Sequence, residues 1–223
     1  FKDTSIGDNG SFTLESIYRD RQERTLRIWK KGSRASGDGY LKYPVIYLSL
    51  KRVTPIGEEK KITIQDHTIE DDDIQFITNE YNEILLSSIP NEDNISTQLD
   101  SQNKKQIISH PSSYGALTIS AGQDNIGTIL TAILSFKKLM KTFPTDYKGG
   151  LLFIDEIEST LYPAVQKKLI EKIIKYAKDY KLQVFCTTHS PTIIETALSD
   201  RCKHVTKVNY LKSIDNKISV ETD

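Results

Sequence analysis

Gly149-Gly150-Leu151-Leu152-Phe153-Ile154-Asp155-Glu156 is the stretch on which the fold turns. Four consecutive apolar residues bounded by glycines read as a short buried strand, and the two acids mark where it ends. Downstream, Pro163 suits the first turn of a helix. Val165, Leu169, Ile170, Ile173, Ile174 and Ala177 form that helix's apolar face. Leu182 to Thr187 is a second buried strand, and Thr192 to Leu198 a short helix. Upstream, Ile126, Ile129, Leu130, Ile133, Leu134 and Leu139 make a helical stripe that stops before Pro144. Strands alternating with helices predict an α/β fold, a parallel sheet flanked by helices. In such sheets, sites form at the carboxyl ends of strands, which is where Asp155 and Glu156 fall.

The rest of the chain is less regular. Residues 1–65 are β-rich: Ser11 to Tyr18 and Arg24 to Lys31 are strand-like, with turns at Lys31-Gly32-Ser33 and Gly37-Asp38-Gly39. Tyr43 to Leu50 reads as a buried strand closed by Pro55 and Gly57. Residues 66–115 read as a helical and polar insertion. The acidic run Glu70 to Asp73 starts a solvated helix that continues to Leu86. Pro90 to Gln106, rich in Asn, Asp, Ser and Gln, reads as a mobile loop. Residues 116–223 form the regular lobe. It ends in an expected hairpin, Val205 to Leu211 and Lys217 to Glu221, about the turn Ser213-Ile214-Asp215-Asn216.

Composition sets outer bounds. The 223 residues carry 30 basic and 30 acidic side chains, so net charge offers no argument for nucleic acid or a membrane surface. Cys186 and Cys202 are too few for a disulfide framework and fit a reducing, cytoplasmic compartment. No apolar run approaches the ~20 residues of a membrane helix. The first residue is Phe1, so a longer parent chain is expected.

Four segments carry chemistry. Ser120-Ala121-Gly122-Gln123-Asp124-Asn125 precedes a helix: small residues admit a ligand to the backbone, and helix-start N–H groups favour an anion. Read alone, the segment is more readily a turn that caps a helix. Asp155 and Glu156 at a strand mouth need a cation or hydrogen bonds to offset their burial. Mg²⁺ held by Asp155 and a water activated by Glu156 is one solution, and a plain acidic turn is the other. Glu158-Ser159-Thr160-Leu161-Tyr162-Pro163 leads into the next helix, where Ser159 or Thr160 can be a cap. Thr187-Thr188-His189-Ser190-Pro191 ends the second strand and brings an imidazole to the same sheet edge.

Taken together and in this order, the segments resemble those of ABC-type ATPase heads. SAGQDN resembles the signature, LLFIDE the Walker B segment, ESTLYP the D-loop and TTHSP the switch-histidine segment. Gln123 and Asp155 stand 32 positions apart, and Glu156 and His189 stand 33 apart. The resemblance covers about Leu117 to Ser199. It is nearest to proteins related to structural-maintenance-of-chromosomes heads, RecF and overcoming-lysogenization-defect nucleases. It implies a P-loop NTPase fold and a head-to-tail homodimer sandwiching ATP and Mg²⁺. Asp155 would be the metal ligand, Glu156 the general base, and His189 part of the γ-phosphate shell. Ser120, Ala121, Gly122 and Gln123 would act in trans, while Ser159, Thr160 and Leu161 cross the interface. It also implies work in antiphage defence or DNA repair, with a separate nuclease, effector or DNA as partner and no membrane.

Two departures stand out. No G-x-x-x-x-G-K-[ST] phosphate loop occurs, and Ile6-Gly7-Asp8-Asn9-Gly10-Ser11 lacks the lysine. The cradle is therefore expected upstream or on another chain, making this a C-terminal catalytic lobe. Gln65 and Gln75 are Q-loop candidates by position only. Two other functions fit parts of the pattern: a non-hydrolysing docking module, and an unrelated Mg²⁺-dependent phosphohydrolase using Asp155 and Glu156.

Overall fold

The computed structural model describes residues 12–15, 27–30, 43–59, 61–65, 69–87, 94–101, 104–113, 115–214 and 217–222. The chain divides into two units, Phe1–Tyr43 and Pro44–Asp223. In the first, β1 (Phe12–Glu15) pairs antiparallel with β2 (Arg27–Lys30), Phe12 opposite Lys30. The turns expected at 31–33 and 37–39, and the Ile6–Ser11 segment, lie outside the described residues.

The second unit holds the parallel sheet. Its central strand, β7 (Gly150–Ile154), lies between β3 (Val45–Leu48) and β8 (Leu182–Cys186). Val45 pairs with Leu151, and Ile154 with Cys186. Leu152 and Ile154 are fully buried. The alternate residue Phe153 stacks on Phe185, ring centroids 4.9 Å apart. The α/β class with a parallel sheet expected from the sequence is thus the fold observed.

One expectation about this sheet fails. Tyr43 to Leu50 is a strand only over Val45–Leu48, and it is not buried: Val45 is 54% and Tyr47 65% exposed. On β8, Gln183 is exposed and Val184 and Phe185 only half-buried. A run of apolar β-branched residues specifies extended backbone. Which faces of a strand are covered depends on what packs there.

Helices cover the Leu152 face. α2 (Ala121–Thr142) contributes the fully buried Ile126, Ile129, Leu130, Ile133 and Phe136. α3 (Pro163–Asp179) opens on Pro163 and buries Val165, Leu169, Ile170, Ile173 and Tyr176. Burying each such side chain is worth roughly 1.5–3 kcal/mol. α4 (Pro191–Leu198) is capped by the Ser190 hydroxyl, which accepts from the Ile193 N–H. α1 (Asp71–Ile84) packs against both α2 and α3. Its acidic first turn suits the positive end of the helix dipole. The run is only partly solvated, because Asp73 is buried and ion-paired with Lys138.

Within the expected loop from Pro90 to Gln106, the described residues 94–100 and 105–106 are strand instead. β4 (Thr63–Gln65), β5 (Asn94–Asp100) and β6 (Lys105–Pro111) form an antiparallel sheet, Asn94 opposite Pro111 and Asp100 opposite Lys105. β6 is buried along all but its first residue and lies against α2. Its polar residues misled the sequence argument because they are satisfied inside. Gln106 bonds Asp124 and Thr128, Ser109 bonds Thr78, and His110 meets Thr97. Gly127 permits the close approach of α2: a Cβ there would stand 2.7 Å from Ile108 Cγ2.

The terminal hairpin is present as β9 (Asn209–Ile214) and β10 (Lys217–Thr222), Leu211 opposite Val220. Ser213 and Ile214, expected in the turn, belong to β9.

Candidate active site

The end of β7 is held by a ladder of backbone bonds to its two neighbours. Asp155 N–H donates to Leu48 O at 3.0 Å, and Thr187 N–H donates to Ile154 O at 3.0 Å. Ile157 N–H returns to Thr187 O at 3.1 Å. Thr187 then acts through its side chain. Its hydroxyl donates to Asp155 Oδ1 at 2.6 Å and accepts the Glu156 N–H at 2.8 Å. One hydroxyl therefore orients the first acid by its carboxylate and the second by its backbone.

Glu156 adopts a left-handed backbone, φ 44°, which an L-residue holds at a cost of about 1–2 kcal/mol. Two donors converge on its carbonyl, Arg52 Nη2 at 2.8 Å and Ser159 N–H at 2.9 Å. Its carboxylate accepts the Ser159 hydroxyl at 3.2 Å. Asp155 and Glu156 are both half-buried. Glu158 adds a third acid to the turn. Its Oε1 accepts the His189 N–H at 2.6 Å, tying the histidine's backbone to the acidic turn while the His189 side chain stays exposed. Glu158 Oε2 is buried and has no hydrogen-bond partner among the described residues.

Ser120 caps α2 in a reciprocal capping box. Its hydroxyl accepts the Gln123 N–H at 3.2 Å, and Gln123 Oε1 accepts the Ser120 N–H at 2.9 Å. Ser120 is still exposed, so the cap leaves it on the surface. Ala121 and Gly122 lie against the loop after β7. Thr160 Oγ1 donates to Ala121 O at 3.3 Å, and a Cβ on Gly122 would stand 2.9 Å from Thr160 O. The following two residues point inward. Asp124 forms a buried ion pair with Lys104 at 2.8 Å and accepts from Gln106 and the Ile56 N–H. Asn125 is completely buried. It accepts from Arg52 Nε at 2.9 Å and donates to Ser159 O at 2.7 Å.

The structure thus brings Ser120 to Asn125, Asp155 to Thr160 and His189 into one hydrogen-bonded neighbourhood. Among Ser159, Thr160 and Leu161, Thr160 is exposed, with φ 65°, and Leu161 is buried within the chain. Gln65 lies on β4 of the antiparallel sheet, and Gln75 is exposed on α1. A groove of about 430 Å³ beside the start of α2 is lined by Tyr81, Leu85, Ser120, Gln123 and Tyr162, and by none of Asp155, Glu156 and Glu158.

Arg52 was not among the sequence candidates, and Thr187 and Glu158 stood within the quoted segments without a role of their own. Arg52 has 3% exposure and makes no ion pair among the described residues. Burial pulls its guanidinium down from the ordinary value, and Asp155, Cys186, Glu156 and Glu158 pull it back. It stays charged, as arginine does in proteins. Nothing in a chain marks an arginine four residues past an apolar strand as buried.

Among the described residues no group of three or more His, Cys, Asp or Glu forms a protein-only metal cage. Mg²⁺ binds through one or two carboxylates and relies on substrate phosphates and water for the rest. Asp155, with one oxygen already oriented by Thr187, is suited to that part.

The chain belongs to a family of ATPases: residues 30–194 match the family described as AAA ATPase domain. No curated protein matches it. Among solved structures it is similar to an SMC ATPase studied for ATP-driven dimerization and DNA-stimulated activation, at 17% identity over 67% of this chain and 84% of that one, TM-score 0.39. It is also similar to the Smc head domain of Pyrococcus furiosus, with an extended coiled coil and bound to the C-terminal domain of ScpA, at 12% identity over 67% and 34%, TM-score 0.42. The SMC head domain of Thermotoga maritima aligns at 10% identity over 89% of this chain and 64% of that one, TM-score 0.47. No helix among the described residues is long and apolar enough to cross a membrane.

Proposed function

We propose that this chain is the C-terminal catalytic lobe of an ATP-hydrolysing head that works as a head-to-tail homodimer. The observation that supports it is the convergence of the Ser120–Asn125 turn, the Asp155–Thr160 turn and the His189 loop through direct hydrogen bonds. Glu156 takes the proton of the attacking water, a role worth typically 10²–10⁴-fold. Asp155 would hold Mg²⁺, which when bound would neutralise phosphate charge. Ser120, Ala121, Gly122 and Gln123 present the N-terminus of α2 to the γ-phosphate carried by the partner. Ser159, Thr160 and Leu161 form the crossing segment, and His189 closes the phosphate shell. Hydrolysis removes the charge that ordered these contacts and releases the dimer. The dimer gates a separate nuclease, effector or DNA-acting protein, in defence or repair.

A second reading is a docking module that dimerises without turnover. ATPase assays and sizing of the intact protein separate the two. Hydrolysis should fall by about 10² or more in Glu156→Gln, with an ATP-dependent dimer trapped. Absence of hydrolysis in the wild type, together with no trapped dimer, overturns the enzymatic reading.

A further inference from the structure

The buried guanidinium of Arg52 touches two functional segments at once. Arg52 sits on a single 3₁₀ turn, Leu50–Val53, directly after β3. Its four hydrogen-bond acceptors are all neutral: Asn125 Oδ1 at 2.9 Å, Glu156 O at 2.8 Å, Ser49 O at 3.2 Å and Leu48 O at 3.3 Å. A buried cation that serves only stability is normally paired with a carboxylate. Here the charge is instead spent on holding backbone and amide oxygens in place.

The far side of the tie is equally committed. The Asn125 amide carries the link on to Ser159 O at 2.7 Å. The backbone of Arg52 is anchored as well. Lys104 Nζ donates to Arg52 O at 3.1 Å and pairs with Asp124 at 2.8 Å. The Arg52 side chain is therefore bound directly to Asn125 of α2 and to the Glu156 turn, while its main chain reaches Asp124 only through Lys104.

We propose that Arg52 is a positioning residue that couples the signature end of α2 to the Glu156–Ser159 turn. On the ATPase reading above, on which this rests, Ser120 to Gln123 engage the partner's nucleotide while Glu156 acts on the chain's own. A shift of the α2 end displaces Asn125. Because Arg52 and Ser159 are bound to that amide inside the protein, the Glu156 carbonyl follows. Occupancy of one site then sets the carboxylate of the other, and the two sites hydrolyse cooperatively.

The test uses the intact protein with Arg52→Lys, Asn125→Asp, their combination and Glu156→Gln as control. Arg52→Lys keeps the charge and loses the fork. Asn125→Asp keeps an acceptor for Arg52 and sets a carboxylate against Ser159 O. Each should lower kcat by about tenfold, within the range for residues that carry coupling. KM should stay within about twofold and the Hill coefficient fall to one. The double variant should be no worse than the worse single. In nucleotide-free protein, hydrogen exchange at residues 155–161 should accelerate in both variants. Folded variants with unchanged kcat, Hill coefficient and exchange overturn the proposal. So does loss of folding in both, which would make Arg52 a packing element. A null result in Arg52→Lys with Glu156→Gln inactive rejects the coupling alone. Equal activity of Glu156→Gln and wild type rejects the ATPase reading with it.

Discussion

The Thr187 hydroxyl donates to Asp155 Oδ1 at 2.6 Å while accepting the Glu156 N–H at 2.8 Å. The residue that follows β8 thereby sets the geometry of both acids at the end of β7. Thr187→Val removes the donor and leaves the Glu156 N–H unpaired. Losing a side chain that orients a metal-binding carboxylate lowers metal affinity by roughly 10–100-fold. The Mg²⁺ concentration for half-maximal ATP hydrolysis should rise accordingly, and Thr187→Ser should restore it. A Mg²⁺ titration of the three proteins decides the matter; an unmoved midpoint in Thr187→Val removes Thr187 from the site.

Gly122 lies against the loop after β7. Its missing Cβ would meet Thr160 O, a backbone atom, at 2.9 Å. Alanine brings a helix-propensity gain of up to ~1 kcal/mol. Overpacking of about 1–3 kcal/mol should outweigh it. Gly122→Ala should therefore lower the urea midpoint and weaken the ATP-dependent dimer. A raised midpoint would show that Thr160 moves aside without penalty.

Lys104 and Asp124 form a buried pair whose remaining groups are satisfied by Gln106, Ile56 N–H, Arg52 O and Thr54 O. Removing one partner leaves an uncompensated buried charge, which typically costs 3–5 kcal/mol. Lys104→Met and Asp124→Leu should each be destabilised by about that much, and the double variant by much less than the sum. Equilibrium unfolding measures the cycle, and additivity would contradict it.

Lys172 on α3 binds Glu80 at 2.7 Å and also Glu83 on α1. The hydrogen bond from Lys172, aided by Lys168, holds the Glu83 carboxyl below its ordinary value of 4.5. Burial alone would lower the Lys172 ammonium, but the bonds to Glu80 and Glu83 outweigh it and raise the group above 10.5. The sign follows for each group. The Glu83 contribution is present above pH 4.5 and fades as pH falls through its lowered folded value. The Lys172 contribution is present below pH 10.5 and fades as pH rises through its raised one. Lys172→Met should flatten both limbs of a stability-against-pH curve. Unchanged slopes below pH 4.5 and above pH 10.5 would contradict the pairing.

Local pattern was enough where one residue's environment depends on near neighbours. The apolar run Leu151 to Ile154, Pro163 at a helix start and the stripe from Ile126 to Leu139 each specified an element within a few residues of its observed ends. Asp155, Glu156 and His189 were legible for a related reason: the ends of parallel strands share an edge. The same logic failed at β5 and β6. Polar composition there pointed to a loop, but Gln106, Ser109 and His110 find partners on α1, α2 and β5, far along the chain.

By itself, then, the sequence determined the alternation of strands and helices, the parallel sheet and the segments that follow β7 and β8 at its carboxyl edge, because periodicity and chain order carry that information. Tertiary structure alone decided three things. Val45 and Tyr47 lie exposed, Arg52 is buried and joined to Asn125 and Glu156, and Thr187 governs the acids beside it. Burial and hydrogen-bond partnership are properties of what packs against a residue. For Arg52 and Asn125 that partner stands 73 positions away, beyond the reach of any local pattern.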